Sequence, residues 1–90
     1  MTSLQFLVDS MCANFTVESI YALVKTLLAE RPCTIGDIAQ EIAAKDRSLD
    51  IKSAQAIAEA AVEAMSQRGA LEVQGPYIYP GSAGRGQGRP

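Results

Sequence analysis

The spacing of apolar residues predicts a short amphipathic helix at the start of the chain, from Leu4 to Phe15. Residues three and four positions apart share one helical face, and Asp9 and Ser10 fall on the other face. The apolar face consists of Leu4, Leu7, Val8, Met11 and Phe15. Such a face has to be buried, either against its own domain or against a second copy of the chain as a dimer interface.

A second helix is predicted to begin after Thr16 and to end near Glu30. Threonine is a favourable N-cap, and Glu18 lies in the first turn, where the helix dipole favours an acidic side chain. Pro32 cannot continue a helix and pushes Arg31 away from helical dihedral angles. The apolar face of this helix consists of Ile20, Tyr21, Val24, Leu27 and Leu28.

A third helix is predicted to start at Thr34, because Asp37 three residues later completes a capping-box-like pair. A polar, turn-like segment follows at positions 46–49. Asp50 is then the expected cap of a long fourth helix that runs from Ile51 to Arg68. The inner faces consist of Ile35, Ile38, Ala39 and Ile42 in the third helix, and of Ala54, Ile57, Ala58, Ala61, Val62 and Met65 in the fourth.

The period of the pattern changes after Gly69, which is predicted to end the fourth helix in the left-handed C-cap conformation. Apolar and polar residues alternate over positions 70–73 and again over 77–79, with Gln-Gly-Pro between them. This pattern predicts a β-hairpin with a very short tip, whose second strand ends at Pro80. Tyr77 and Tyr79 are expected on one face and Ile78 on the other.

Composition places the chain among globular proteins, since 48% of its residues are hydrophobic and 20% are charged. Ninety residues suffice for one modest core in a single domain. The net charge is −2, but two of the eight basic residues, Arg85 and Arg89, lie in the tail. The chain up to Pro80 therefore contains six basic and ten acidic residues, which gives this part a net charge of −4. A strongly electropositive surface is missing, which counts against tight nucleic-acid binding.

Neither a cofactor, a metal site nor catalysis is expected. Cys12 and Cys33 are too far apart for a metal-binding pair, and the chain has no histidine. Two buried, reduced thiols are favoured, with a disulfide left open. Glycine-rich phosphate loops and nucleophile motifs are absent from the sequence, so the chain is not expected to be an enzyme. Without an evident targeting segment or membrane span, a cytoplasmic location is expected.

The order of these elements, together with two short stretches, resembles the winged-helix family. Positions 65–73 (Met-Ser-Gln-Arg-Gly-Ala-Leu-Glu-Val) are similar to its long helix, basic residue and glycine, followed by a strand. Positions 34–39 (Thr-Ile-Gly-Asp-Ile-Ala) resemble its second helix. The resemblance implies a winged helix over residues 16–80, preceded by an amphipathic helix over 1–15 and followed by a flexible Gly/Arg tail over 81–90. Its departures are a long connection between the third and fourth helices, a short wing and an acidic, alanine-rich fourth helix.

In winged-helix proteins, the start of the last core helix enters the major groove of DNA. The resemblance therefore implies base or phosphate contacts from Lys52, Ser53 and Gln55. Further phosphate contacts are implied for Thr34, Ser48, Arg85 and Arg89. The alternative for the residues of the fourth helix is an ordinary solvent-exposed helix face. The alternative for the two arginines of the tail is that they have no binding role. The two hairpin tyrosines either stack on bases or cover the edge of the core.

The function expected from this resemblance is that of a small DNA-binding protein, a dimeric transcriptional regulator. The first helix is expected to supply the homodimer interface, as added helices do in many small winged-helix regulators. The alternative is a winged helix that binds a protein partner and no nucleic acid. An acidic body, a short wing and a smooth alanine stripe on the fourth helix (Ala56, Ala60 and Ala64) favour this alternative.

Overall fold

The computed structural model describes residues 4–11 and 15–81, which form four α-helices and a two-stranded antiparallel hairpin. The helices are α1 (Leu4–Met11), α2 (Val17–Glu30), α3 (Ile35–Lys45) and α4 (Ile51–Gln67), and the strands are β1 (Leu71–Gln74) and β2 (Tyr77–Pro80). The predicted mostly helical chain with a C-terminal hairpin is confirmed. Phe15 is not helical, contrary to the predicted helix end, because the extended cap residue Thr16 follows it directly.

Side-chain caps begin three of the helices where the sequence predicts them. The Thr34 hydroxyl accepts the Asp37 N–H at 3.1 Å, and the Asp37 carboxylate accepts the Thr34 N–H at 3.1 Å. Asp50 accepts the Ser53 N–H at 2.8 Å. Thr16 caps α2, and Ser19 completes a capping box that the sequence pattern did not reveal, because the usual residue at that position, N3 of the helix, is glutamate or glutamine.

The end of α4 is a Schellman motif, which turns the chain sharply into the hairpin. The Gly69 N–H donates to Ser66 O at 3.0 Å, and the Ala70 N–H donates to Met65 O at 2.9 Å. Gly69 has a φ of 76°, the left-handed conformation predicted for it. The helix itself ends at Gln67, one residue earlier than predicted.

Helix α4 occupies the centre of the molecule, in contact with α1, α2, α3 and β1. All six residues of its predicted inner face are buried, and its most extensive interface is with α3. Small alanines along that face allow the neighbouring helices to approach closely. In α3, Ile35 is only half-buried, although it was predicted on the inner face.

The apolar face of α1 packs against α4 and α2 of its own chain. Leu4 and Val8 are buried in this core, and Leu7, Met11 and Phe15 pack partly buried against it. The predicted dimer interface therefore has to be corrected for Leu4 and Val8. Their own chain already removes these side chains from water, so they are not available to a second copy.

The hairpin pairs Leu71 with Pro80 and Gln74 with Tyr77, which leaves a two-residue loop. Gly75 opens this loop with a φ of 61°, and such a conformation favours glycine. On the other side of β2, Cys33 forms an antiparallel bridge with Ile78. Strand β2 is therefore flanked by β1 on one side and by Cys33, in the segment before α3, on the other.

Candidate nucleic-acid interface

The connection between α3 and α4 is organised by a buried carboxylate. The Asp46 side chain has no exposed surface and accepts the Ser48 N–H at 3.1 Å, together with a hydrogen bond from the Ser48 hydroxyl. The backbone of Asp46 is also hydrogen-bonded: its N–H donates to Ile42 O at 2.9 Å, and its carbonyl oxygen accepts the Leu49 N–H at 3.1 Å. Leu49 is buried beside the turn, so the turn is fixed to the core.

The predicted DNA-contacting residues of α4 lie at its solvent-exposed first turn. Lys52 and Gln55 are exposed, and Ser53 is half-buried. The Ser53 N–H holds the pKa of Asp50 below its ordinary value by hydrogen bonding to the carboxylate, and the positive charge of Lys52 contributes in the same direction. The start of α4 therefore combines one exposed cation with a nearby cap carboxylate that partly offsets its charge.

Two further predicted phosphate contacts have internal structural roles. The Thr34 hydroxyl caps α3, and the Ser48 hydroxyl donates to the buried Asp46. Thr34 also lies at the far end of α3 from the turn. This helix has 11 residues, which places the two about 16 Å apart along its axis. The structure therefore brings Ser48 close to Lys52 in the fold but does not bring Thr34 to the same site.

Two exposed basic residues, Lys45 and Arg47, flank the turn and were not among the predicted contacts. With Lys52 they form a group that we call the turn cation cluster. Within the part of the chain that the structure describes, none of the three is in an ion pair. The sequence signal was local density, since three of the six basic residues before Pro80 fall within positions 45–52. The net charge of the chain up to Pro80 does not reveal this local density of basic residues.

The neighbouring acids offset only part of the charge of this cluster, because at most two negative charges stand against three positive ones within positions 45–52. Asp46 is buried on Ser48, and Asp50 accepts the Ser53 N–H. By contrast, the other two arginines of the described residues have partners. Arg31 lies 3.4 Å from the Asp37 carboxylate, and the Arg68 guanidinium lies 5.1 Å from the centre of the Tyr21 ring. The turn therefore holds the densest group of cations without an ion pair among the described residues, and Lys25 is a further exposed cation away from the turn.

The rest of the exposed face of α4 is acidic. Glu59 and Glu63 are exposed, and Glu59 lies four residues after Gln55 on the same side of the helix. The axial distance from Lys52 to Glu59 is about 10 Å. Any anionic ligand that contacts the first turn of α4 therefore meets repulsion two turns further along.

The remaining predicted surfaces are less informative. Arg85, Arg89 and Cys12 lie outside the described residues. Tyr77 is exposed and Tyr79 is half-buried, while Ile78 is buried on the opposite face as predicted. A shallow cleft of about 140 Å³ at the base of the hairpin is lined by Lys25, Leu28, Ala29, Ala70 and Pro80.

Cys33 is a free, buried thiol, and burial raises its pKa.

Residues 4–11 and 15–81 contain no group of three side chains that could hold a metal ion. In the same residues, no helix is both long enough and apolar enough to cross a membrane. Comparison of the chain with protein-family models, curated proteins and solved structures finds no match.

Proposed function

We propose that the chain is a winged-helix DNA-binding protein that contacts duplex DNA through the α3–α4 turn and the first turn of α4. The order of elements supports this proposal. A helix, a bridging residue, two further helices and a hairpin follow one another, and the bridging residue Cys33 pairs with β2. This order of elements is the one that the resemblance to winged-helix proteins implies.

The turn cation cluster is the observation that carries the proposal. Lys45, Arg47 and Lys52 are exposed, unpaired and held by a turn that a buried carboxylate fixes to the core. Fixed cations on either side of a helix N-terminus match the phosphates that border the major groove. The acidic remainder of α4 limits contact to its first turn, so the footprint is small and the binding salt-sensitive.

The proposal is tested by fluorescence anisotropy with a labelled mixed-sequence duplex, titrated between about 50 and 200 mM salt. Three phosphate contacts predict a slope of log K against log[salt] of about −2.7 per chain. Replacing Arg47 or Lys52 by glutamine is expected to weaken binding and to reduce the magnitude of the slope by about 0.9.

The matched control is Lys25→Gln, which removes the same charge from the cleft at the base of the hairpin. It is expected to leave the slope unchanged. Absence of binding at the lowest salt would overturn the proposal. If Lys25→Gln and Lys52→Gln lowered the affinity for DNA equally, binding would depend only on the overall charge, and the assigned interface would be overturned.

A homodimer is retained as part of the proposed regulator, but with a smaller interface than the sequence predicted. Of the five residues predicted for the interface, the partly buried Leu7 and Met11 of α1, and Phe15 beyond its end, are still available for contact. Sedimentation equilibrium of the full chain tests this expectation. A monomer at all concentrations would remove the dimer from the proposal without affecting the DNA interface.

The second candidate function is a protein-interaction module. The exposed carboxylates of Glu59 and Glu63 favour it, because they lie on the face of α4 that DNA would approach. Ala56, Ala60 and Ala64 form a half-buried, smooth stripe beside them. A chain that binds no duplex at low salt, yet retains its fold, would favour this second function.

A further inference from the structure

The first turn of α4 exposes an isoleucine that is not part of the buried core. Ile51 is 51% exposed at the first position of the helix, although every other isoleucine of α4 and the hairpin is buried. Gln55 is also exposed, and four residues of separation place it on the same side of the helix. The two side chains thus form one small surface, half apolar and half amide, beside the turn cation cluster.

This pairing of side chains corresponds to the major-groove edge of an A·T base pair. Adenine offers an N7 acceptor and an N6 donor, which an amide side chain contacts with two hydrogen bonds. Thymine offers a methyl group, which takes an apolar contact. Because residues four apart on a helix have Cβ atoms about 5–6 Å apart, both contacts fit within one base pair or two adjacent pairs.

The dimensions of the helix and the groove allow these two residues to enter while the acids stay outside. Gln55 lies about 6 Å along the axis from Ile51, and Glu59 about 12 Å. The major groove is about 8.5 Å deep. A helix that approaches the groove at an angle, with its first turn foremost, therefore brings Ile51 and Gln55 closest to the base edges and keeps Glu59 nearer the rim.

We infer that Ile51 and Gln55 select A·T base pairs in duplex DNA, Ile51 through the thymine methyl group and Gln55 through adenine. This inference rests on the proposed function and specifies the partner of the same site. The cations supply affinity without sequence preference, whereas these two uncharged side chains supply the preference.

The test compares three duplexes of equal length in anisotropy titrations with the full chain: an A·T-rich duplex, the same duplex with uracil in place of thymine, and a G·C-rich duplex. Wild-type protein is expected to prefer the A·T-rich duplex over the G·C-rich duplex at least about fivefold. Replacing thymine by uracil is expected to lower the affinity about fourfold, which corresponds to the free energy of burying one methyl group.

The variants separate the two contacts. Ile51→Ala is expected to abolish the difference between thymine and uracil, and Gln55→Ala to reduce the preference for A·T over G·C. The matched control is Val73→Ala, because Val73 is also 51% exposed but lies on the hairpin. All three variants are first checked for native helicity and melting temperature.

Salt-dependent binding with no preference among the three duplexes would overturn this inference and leave the proposed function standing. So would a thymine–uracil difference that persists in Ile51→Ala or disappears in Val73→Ala. No binding to any duplex would overturn the inference together with the proposed function.

Discussion

Cys33 and Ile78 exchange both of their backbone hydrogen bonds, with Cys33 N–H donating to Ile78 O at 3.2 Å and Ile78 N–H donating to Cys33 O at 2.7 Å. Each residue is only 1% exposed. This single pair joins the segment before α3 to the hairpin, 45 positions later in the chain. It fixes the hairpin against the helices, and without it β2 would have one strand neighbour instead of two.

The Cys33 thiol is expected to report the integrity of this bridge. In a Cys12→Ser background, Cys33 is the sole thiol, and its burial slows alkylation because the reactive thiolate is rarely formed or exposed. Burial raises its pKa. Since the unfolded thiol then ionises at lower pH than the folded one, stability is retained below the unfolded pKa and falls as pH rises past it.

Alkylation followed by mass spectrometry checks this expectation, with labelling in denaturant as the reference for a fully accessible thiol. Native protein should react far more slowly than the reference, and faster at alkaline pH. Labelling of the native protein at the reference rate would show that Cys33 is not buried by the bridge.

Gly81 is expected to tolerate no side chain, because it lies against the backbone at the base of the hairpin. A Cβ atom there would stand 2.2 Å from Gly69 O and 2.5 Å from Leu71 N. Backbone cannot move aside cheaply, so Gly81→Ala should lower the free energy of unfolding by about 2 kcal/mol or more. Thermal denaturation should show a fall in Tm of about 10 °C.

Gly36→Ala is the matched control for this glycine. Its Cβ would meet only the Thr34 hydroxyl oxygen at 3.7 Å, an ordinary contact within an exposed helix start. Alanine is the better helix former, so the free energy of unfolding should stay unchanged or rise by up to about 1 kcal/mol. Equal destabilisation by the two substitutions would contradict the packing assigned to Gly81.

The helix caps make the stability of the fold sensitive to acid. The Thr34 N–H holds the pKa of Asp37 below its ordinary value, with a further contribution from Arg31, and the Ser53 N–H does the same for Asp50. A carboxyl with a lowered folded pKa stabilises the fold above its unfolded pKa, and this contribution is lost as pH falls through the folded pKa.

Urea denaturation at a series of pH values from about 5 down to 2 checks this expectation. The double variant Asp37→Asn/Asp50→Asn should show a shallower fall in the free energy of unfolding, because the asparagine side-chain oxygen can still accept the Thr34 and Ser53 N–H groups but the amide does not titrate. Thr16→Ala serves as the comparison, since Thr16 caps α2 with a serine partner that does not titrate, and its loss should cost about 1 kcal/mol at every pH. An unchanged pH slope in the double variant would argue against these caps as its source.

Charge reversal on α4 is expected to strengthen DNA binding. Glu59→Lys removes a repulsive charge and adds an attractive one beyond the first turn of α4. A unit charge next to a phosphate is worth about 1 kcal/mol in water, so affinity at low salt should rise by about fivefold or more. The same anisotropy titration measures this gain.

Glu30→Lys is the control for charge reversal, because it makes the same change at the end of α2, near the start of α3 rather than the turn. It is expected to raise affinity much less than Glu59→Lys. If both raised affinity equally, DNA would be responding to net charge and not to the face of α4.

The sequence by itself determined the helices, their caps and the hairpin, because these features depend on neighbours within a few positions. The inner face of α4 was predicted residue by residue, and Gly69 was predicted in its left-handed conformation. Period and capping chemistry act along the chain, so they can be read from it.

Only the tertiary structure decided which charges remain available and what buries the first helix. Asp46 and Arg47 are adjacent polar residues in the sequence, yet one is fully buried and the other exposed. The burial of Leu4 and Val8 against α4 likewise depends on a contact between distant segments. Such pairings are set by how the apolar faces pack together, and local spacing carries no information about which faces meet.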